Sequence, residues 1–183
     1  MKTANKRAAS PNAAMEISTP RQYLTFTVGR EIFGIDVLAA KEIIEYEQIT
    51  VVPMMPASIR GVVNLRGAVV PVIDLSARFG AGTTEAKKRT CIVIVEMAQL
   101  EAGQSMGLLV DSVNQVVDIA TAEIEPPPSF GARIRTDFID GMGKLNGKFI
   151  ILLNLEHVLS MDELAAMAEV SVGEQTALDA APV

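Results

Sequence analysis

The sequence predicts a mainly β protein of the barrel or sandwich class. Three observations carry that expectation. Short runs of Val, Ile and Leu recur roughly every 8 to 12 residues between Gly, Pro and Asn turn signals. The densest stretch, residues 61–75, holds two apolar runs split by Asn64-Leu65-Arg66-Gly67 and reads as a β-hairpin, with Gly67 free to take the positive φ of a tight turn. That stretch also returns further on: Gly61 aligns with Gly141, Leu65 with Leu145, Gly67 with Gly147, Leu75 with Leu155, and Asp74 faces Asn154. Upstream, Gly34-Ile35-Asp36-Val37 and Ile43-Ile44-Glu45 echo Gly107-Leu108-Leu109-Val110 and Val116-Val117-Asp118 in the same order. This ordered match reads as an internal duplication, two similar β units each closing in a Gly-turn hairpin, against the alternative of chance similarity between Val- and Gly-rich strands.

In chain order, residues 1–19 are rich in Ala, Ser, Asn, Pro and Lys without any period, and are expected to form a disordered tail. Order is expected to begin near Gln22. Residues 23–28 form a strand, Arg30 and Glu31 a turn after Gly29, and residues 31–37 the return strand. Residues 38–46 satisfy helix and strand alike; one helical turn at 38–40 followed by a strand at 42–46 is the expectation. Pro53-Met54-Met55-Pro56 is a loop, because each proline disfavours helix at the residue before it. Pro71 lacks a ladder donor, so its strand is expected at an edge or at a bulge. Residues 76–79 make at most a short helix, and 80–84 a flexible connector.

The second unit opens with a strongly apolar strand at 90–97, turns at Gly103, and returns over 106–110. Residues 112–119 continue the sheet, Glu125-Pro126-Pro127-Pro128-Ser129 is stiff and extended, and 138–155 form the second hairpin. From Glu156, apolar residues fall at helical spacing (Val158, Leu159, Met161, Leu164, Met167, Ala168), predicting an amphipathic C-terminal helix packed on the sheets. Residues 170–183 read as a flexible tail.

With 183 residues the chain can build one domain, or two small ones packed intimately. Hydrophobic residues make up 49% and mean hydropathy is +0.30, yet no run reaches the ~18 to 20 apolar residues of a membrane span. The excess is therefore core or interface, and with 4% aromatics that core is aliphatic. A net charge of −6 argues against nucleic acid as a partner. The single cysteine, Cys91, excludes an intramolecular disulfide and opens an apolar run, as a buried inert thiol would. The N-terminus lacks the apolar segment of a secretory signal, so the cytoplasm is the default compartment.

Catalytic clusters are missing from the sequence. His157 is the lone histidine and reads as a surface residue at a helix start. One His and one Cys build neither a metal tetrad nor a catalytic triad, so no cofactor or metal is expected. Gly141-Met142-Gly143-Lys144 resembles a phosphate cradle only faintly, since no helix N-terminus follows it. Glu45 and Glu47 share a strand face but read as solubilising charge. Apolar surface with a few placed charges is the profile of a binding module rather than an enzyme.

The strand at 23–28, Phe33-Gly34-Ile35-Asp36-Val37, Lys41-Glu42-Ile43, and Asn64-Leu65-Arg66-Gly67 through Pro71-Val72-Ile73-Asp74-Leu75 together resemble the CheW family. Met106 to Asp111, Val113, Val116 and Ile124-Glu125-Pro126-Pro127-Pro128 extend the match, which covers about residues 21–164. The resemblance implies two SH3-like five-stranded β-barrels on a shared apolar core, spanning residues 20–165, with a boundary near 80–90 and the C-terminal helix packing back. It also implies a non-catalytic chemotaxis adaptor, cytoplasmic and held at the membrane-associated array through its partners: the cytoplasmic tip of a chemoreceptor and the regulatory domain of a CheA-type histidine kinase.

The positions matching the family's receptor groove between the barrels are Val37, Ala40, Glu42, Ile43, Asn64, Arg66, Val110 and Val113. Those matching its kinase contact, on the outer edge of the first barrel, are Gln48, Thr50, Val52, Met54 and Met55. Glu42 and Arg66 match an acid–base pair of the family, which either holds the hairpin turn against the Glu42 strand or touches the receptor directly. Other readings are an adaptor of a non-flagellar chemosensory pathway, the adaptor module of a receiver-fused protein, a detached kinase regulatory domain, and a small-ligand binder using the groove.

Overall fold

The period-two alternation of apolar residues sets which way each strand faces, and the strands form where it is found. The computed structural model describes residues 19–47, 49–96, 104–128, 134–160 and 162. In order it shows β1 (Arg21–Val28), β2 (Glu31–Asp36), β3 (Ala40–Glu45), β4 (Ile59–Leu65), β5 (Ala68–Asp74), α1 (Leu75–Arg78), β6 (Cys91–Glu96), β7 (Ser105–Val110), β8 (Ser112–Ile119), β9 (Ile124–Glu125), β10 (Ile139–Leu145), β11 (Lys148–Leu153) and α2 (Leu155–Val158). The expected N-terminal tail, the Gly103 turn, Ser129, Met161, the continuation of the C-terminal helix and the tail at 170–183 lie outside the described residues.

Two sheets result, one ordered β8-β1-β2-β11-β10-β9 and the other β3-β6-β7-β5-β4. The duplication expected from the sequence is present in the hydrogen-bond ladders. The β4–β5 register runs Ile59↔Ile73, Gly61↔Val72, Leu65↔Ala68, and the β10–β11 register runs Ile139↔Leu153, Gly141↔Leu152, Leu145↔Lys148, with the bulge at the same place. The parallel pairings also correspond: Val72 opposite Gly107 and Leu152 opposite Gly34. The two units nevertheless do not fold side by side. The β1–β2 hairpin of the first repeat sits in the sheet of β8, β10 and β11, while the β6–β7 hairpin of the second sits with β3, β4 and β5. The position near 80–90 thus divides the repeats but not the sheets, and each SH3-like barrel is built from strands of both repeats.

Alternation within the exchanged strands then fills three layers. Ile92, Ile94, Leu109, Val70 and Val72 fill one barrel; Tyr23, Val117, Ile119, Ile150 and Leu152 fill the other. Their neighbours Val93, Val95, Leu108, Ile73, Leu24, Phe26, Ile151 and Leu153 point the opposite way, into one shared core between the sheets. Val158 and Leu159, the first apolar positions of the expected C-terminal helix, are buried in that core, whereas His157 is exposed.

Both hairpins turn on two residues of positive φ. Arg66 (50°) and Gly67 (86°) make one turn, Asn146 (51°) and Gly147 (76°) the other, the mirror-image geometry that matches strand twist. The sequence pointed to the glycines; the left-handed arginine is a finding of the structure. Asn64 Oδ1 accepts from the Gly67 N–H at 2.9 Å and fixes the turn.

Three local expectations are corrected. Pro71 is not on an edge strand and not at a bulge. β5 lies between β4 and β7, the bulge falls between Ile59 and Gly61 on β4, and the β7 ladder starts only at Val72, beyond the missing donor. Residues 37–39 form a turn without helix, because Asp36 captures the chain: its Oδ1 accepts from the Leu38 N–H (2.9 Å) and its carbonyl from Ala39 (3.0 Å). The 80–84 connector is pinned at its far end, since buried Thr84 gives both its N–H and its hydroxyl to Asp74 at 2.7 Å.

Asp74 is fully buried, ends β5 and caps α1 through the Ala77 N–H. Arg60 on β4 reaches it at 3.3 Å. In the second repeat Asp140 occupies the place of Arg60, and Asn154 the place of Asp74; the Asn154 amide donates to Asp140 Oδ1 at 2.9 Å. A carboxylate at 154 would face another, so asparagine is the residue that fits. Arg78 of α1 crosses to the end of α2, donating to the carbonyls of Val158 (2.8 Å) and His157 (3.2 Å) over the Phe138 ring.

Asp74→Ala is expected to cost roughly 3 kcal/mol, because it leaves the buried Thr84 N–H and hydroxyl without their acceptor. Asn154→Ala removes a cap and one exposed hydrogen bond and is expected to cost about 1 kcal/mol. Urea unfolding of the two variants measures the difference.

Candidate functional site

The barrel containing β3 to β7 carries most of the residues singled out by sequence, whereas Val113 lies on β8 of the other sheet. β3 is one end of its sheet and β4 the other. Glu42 on β3 and Arg66 in the β4–β5 turn meet across those ends, with Arg66 Nη2 at 2.7 and 2.5 Å from the two carboxylate oxygens. Arg66 is exposed and Glu42 half-buried, so the pair fixes where the hairpin tip lies and adds little net stability. Beside it lies a recess of about 350 Å³ whose lining includes Lys41, Glu42, Arg66, Val69, Pro71 and Met106. Lys41 is itself engaged by Glu96 at 3.2 Å.

The expected groove residues separate by burial. Ile43 stands opposite Val93 and so shares its face, at the outer margin of the shared core, with 48% of its surface exposed. Ala40 and Val113 are half-buried on the same core. Val37 is half-buried in the turn before β3, next to Leu38, which is almost fully exposed. Val110 is fully buried in the shared core and has no surface to offer a partner. Asn64 holds the turn, as described above. Ala40, Val113 and Ile43 give this part of the shared core a partly exposed apolar margin.

The second surface runs along β4. Thr50 and Val62 exchange both backbone hydrogen bonds at 2.9 Å, which lays the 49–52 segment on the outer edge of the sheet. Gly61 permits that approach: at φ +149° a Cβ here would stand 2.2 Å from the Thr50 carbonyl oxygen. The segment presents Val51 (74% exposed), Met54 (47%) and Met55 (43%), with Val52 half-buried. Met54 adopts positive φ (66°) between the two prolines. Gln48 lies outside the described residues. Val51 lies within the 48–55 stretch expected from the resemblance without being singled out there, and exposed Leu38 was not singled out at all.

Titratable chemistry is sparse. Among the described residues no group of three His, Cys, Asp or Glu side chains is placed to hold a metal ion. Burial pushes the Cys91 thiol above its ordinary value, offset in part by a backbone hydrogen bond at Val113. No helix of the described residues is long and apolar enough to cross a membrane.

Twin exchanged barrels with apolar margins and a clasping ion pair define a protein-docking module. The family model for the CheW-like domain matches residues 22–163. The chain is 34% identical to the chemotaxis protein CheW of Klebsiella aerogenes, covering 82% of this chain and 89% of that protein. It is 32% identical to CheW of Rhizobium meliloti, covering 85% and 98%. Among solved structures it resembles the scaffolding protein TtCheW of Thermoanaerobacter tengcongensis, with a TM-score of 0.70 and 37% identity over 78% of this chain and 94% of that one. The chain belongs to the CheW family, whose members are non-catalytic adaptors that scaffold chemotaxis signalling.

Gly61→Ala is expected to lift the 49–52 segment, so that the Thr50 and Val62 amides lose protection in hydrogen exchange while those of β6 and β7 keep theirs. Cys91 reacts as its thiolate, so its alkylation at pH 7 is expected to be far slower in the folded protein than in urea, and to accelerate only as pH rises above the raised value. Mass spectrometry of iodoacetamide-treated samples measures both rates.

Proposed function

We propose that this chain couples the cytoplasmic tip of a chemoreceptor to the regulatory domain of a CheA-type histidine kinase. One observation carries the reading: a single rigid barrel offers two separate apolar surfaces at its two sheet ends, β3 and β4, clasped by Glu42 and Arg66. A helical receptor hairpin would lay its apolar stripe on the β3 margin, against Val37, Ala40 and Ile43, with Val113 on the shared core and the Glu42–Arg66 pair at the rim. The kinase domain would take the β4 edge, at Thr50, Val52, Met54 and Met55, with exposed Val51 among them. Unbranched methionine side chains adapt to a partner surface at small entropic cost. Holding both proteins on one barrel raises their effective concentration and fixes their orientation, and no covalent step is required. The protein would sit at the receptor array through these partners, without entering the membrane itself.

Two variants separate the two surfaces and a third tests the ion pair. Ile43→Asp is expected to abolish capture of a receptor tip while kinase capture persists. Val51→Asp is expected to do the reverse. Arg66→Asn keeps a residue suited to positive φ, as Asn146 does in the second repeat, so unfolding free energy should change by less than about 1 kcal/mol while receptor-dependent kinase activation falls. Wild-type activation by Arg66→Asn would remove the ion pair from the docking surface, and failure of the unaltered protein to retain either partner would sink the coupling role.

A further inference from the structure

We propose that Met54 and Met55 form an oxidation site through which peroxide releases the protein from its kinase partner; this rests on the docking role given above to the β4-edge segment. Of the methionines with described side chains, these two alone are open to solvent: Met106 is buried and Met142 packs half-buried against the shared core. They are adjacent, bracketed by Pro53 and Pro56, on a segment that Gly61 and the Thr50–Val62 pairing hold against the barrel. The positive φ of Met54 breaks the extended run, so the two thioethers are displayed by a fixed turn rather than by a strand of the sheet. Counting from Thr50 and Glu125, the residues paired with Val62 and Met142, Met54 and Met55 correspond in sequence to Ser129 and Phe130, neither of which carries sulfur. The site therefore belongs to one barrel only.

The chemistry is a two-electron oxygen transfer. A thioether lone pair attacks one oxygen of hydrogen peroxide, the S–O bond forms as the O–O bond breaks, and the second oxygen leaves with the protons as water. Sulfur is oxidised to the sulfoxide and peroxide is reduced. A thiol-dependent methionine sulfoxide reductase reverses it, converting two thiols to a disulfide and releasing water. The sulfoxide places a strong dipole in the middle of an apolar contact, where a docked partner leaves it without a hydrogen-bond donor. The fold bears none of this cost, because both side chains lie outside its core.

The test treats the full-length protein with hydrogen peroxide, maps the products by peptide mass spectrometry, and measures binding to the kinase regulatory domain. Sulfoxides at 54 and 55 are expected before any at Met106 or Met142, with affinity falling about tenfold or more and returning after incubation with the reductase and dithiothreitol. A Met54→Leu/Met55→Leu variant is expected to bind before and after treatment alike. Full binding by wild-type protein carrying both sulfoxides, or loss of binding by the treated double variant, would overturn the oxidation switch alone. Absence of kinase binding before any treatment would overturn the docking role and the switch with it.

Discussion

The exchange of hairpins between the two repeats is the constraint on which the rest of the molecule depends. Neither repeat contains a complete sheet by its own strands: β1 and β2 complete the barrel of the second, and β6 and β7 complete the barrel of the first. Each exchanged strand alternates, one side chain entering a barrel and the next entering the shared core. Burial on both faces makes register costly to shift by a single residue. The barrels therefore cannot slide or separate without unmaking both, and a partner on one of them is held in fixed relation to the other.

The two repeats have diverged in charge and shape rather than in backbone. Arg60 and Asp74 form a partly buried ion pair in one repeat, where the Asn154 amide donates to the Asp140 carboxylate in the other. Glu42 and Arg66 clasp the ends of one barrel. At the equivalent positions the second repeat has Gln115 and Asn146, which carry no charge. In sequence, Val51 has Pro126 as its counterpart, and Met54 and Met55 have Ser129 and Phe130. The two repeats thus share their ladders and differ in their surfaces.

Much of this was legible in the residues. Strand positions, both glycine turns, the short helix after Asp74 and the repeat itself followed from alternation and turn chemistry, because these depend on neighbours a few residues apart. The Glu42–Arg66 contact spans 24 positions and was reached only through family resemblance. Asp36 turning the chain at 37–39, where Ala39-Ala40-Lys41-Glu42 favours helix, shows a side-chain hydrogen bond overriding propensity. Pro71 suggested an edge because a missing donor usually marks one; here the neighbouring ladder simply begins one residue later.

What the sequence determined by itself was a β-rich, duplicated chain, since composition and periodicity are properties of the order of residues alone. Tertiary structure decided which hairpin joins which sheet, that Val110 is core while Ile43 is surface, and that Gly61 lets the methionine segment lie against β4. Those outcomes are set by contacts between segments far apart in the chain. Two strands of equal apolar character are indistinguishable as partners until the exchanged cores are packed and their faces assigned.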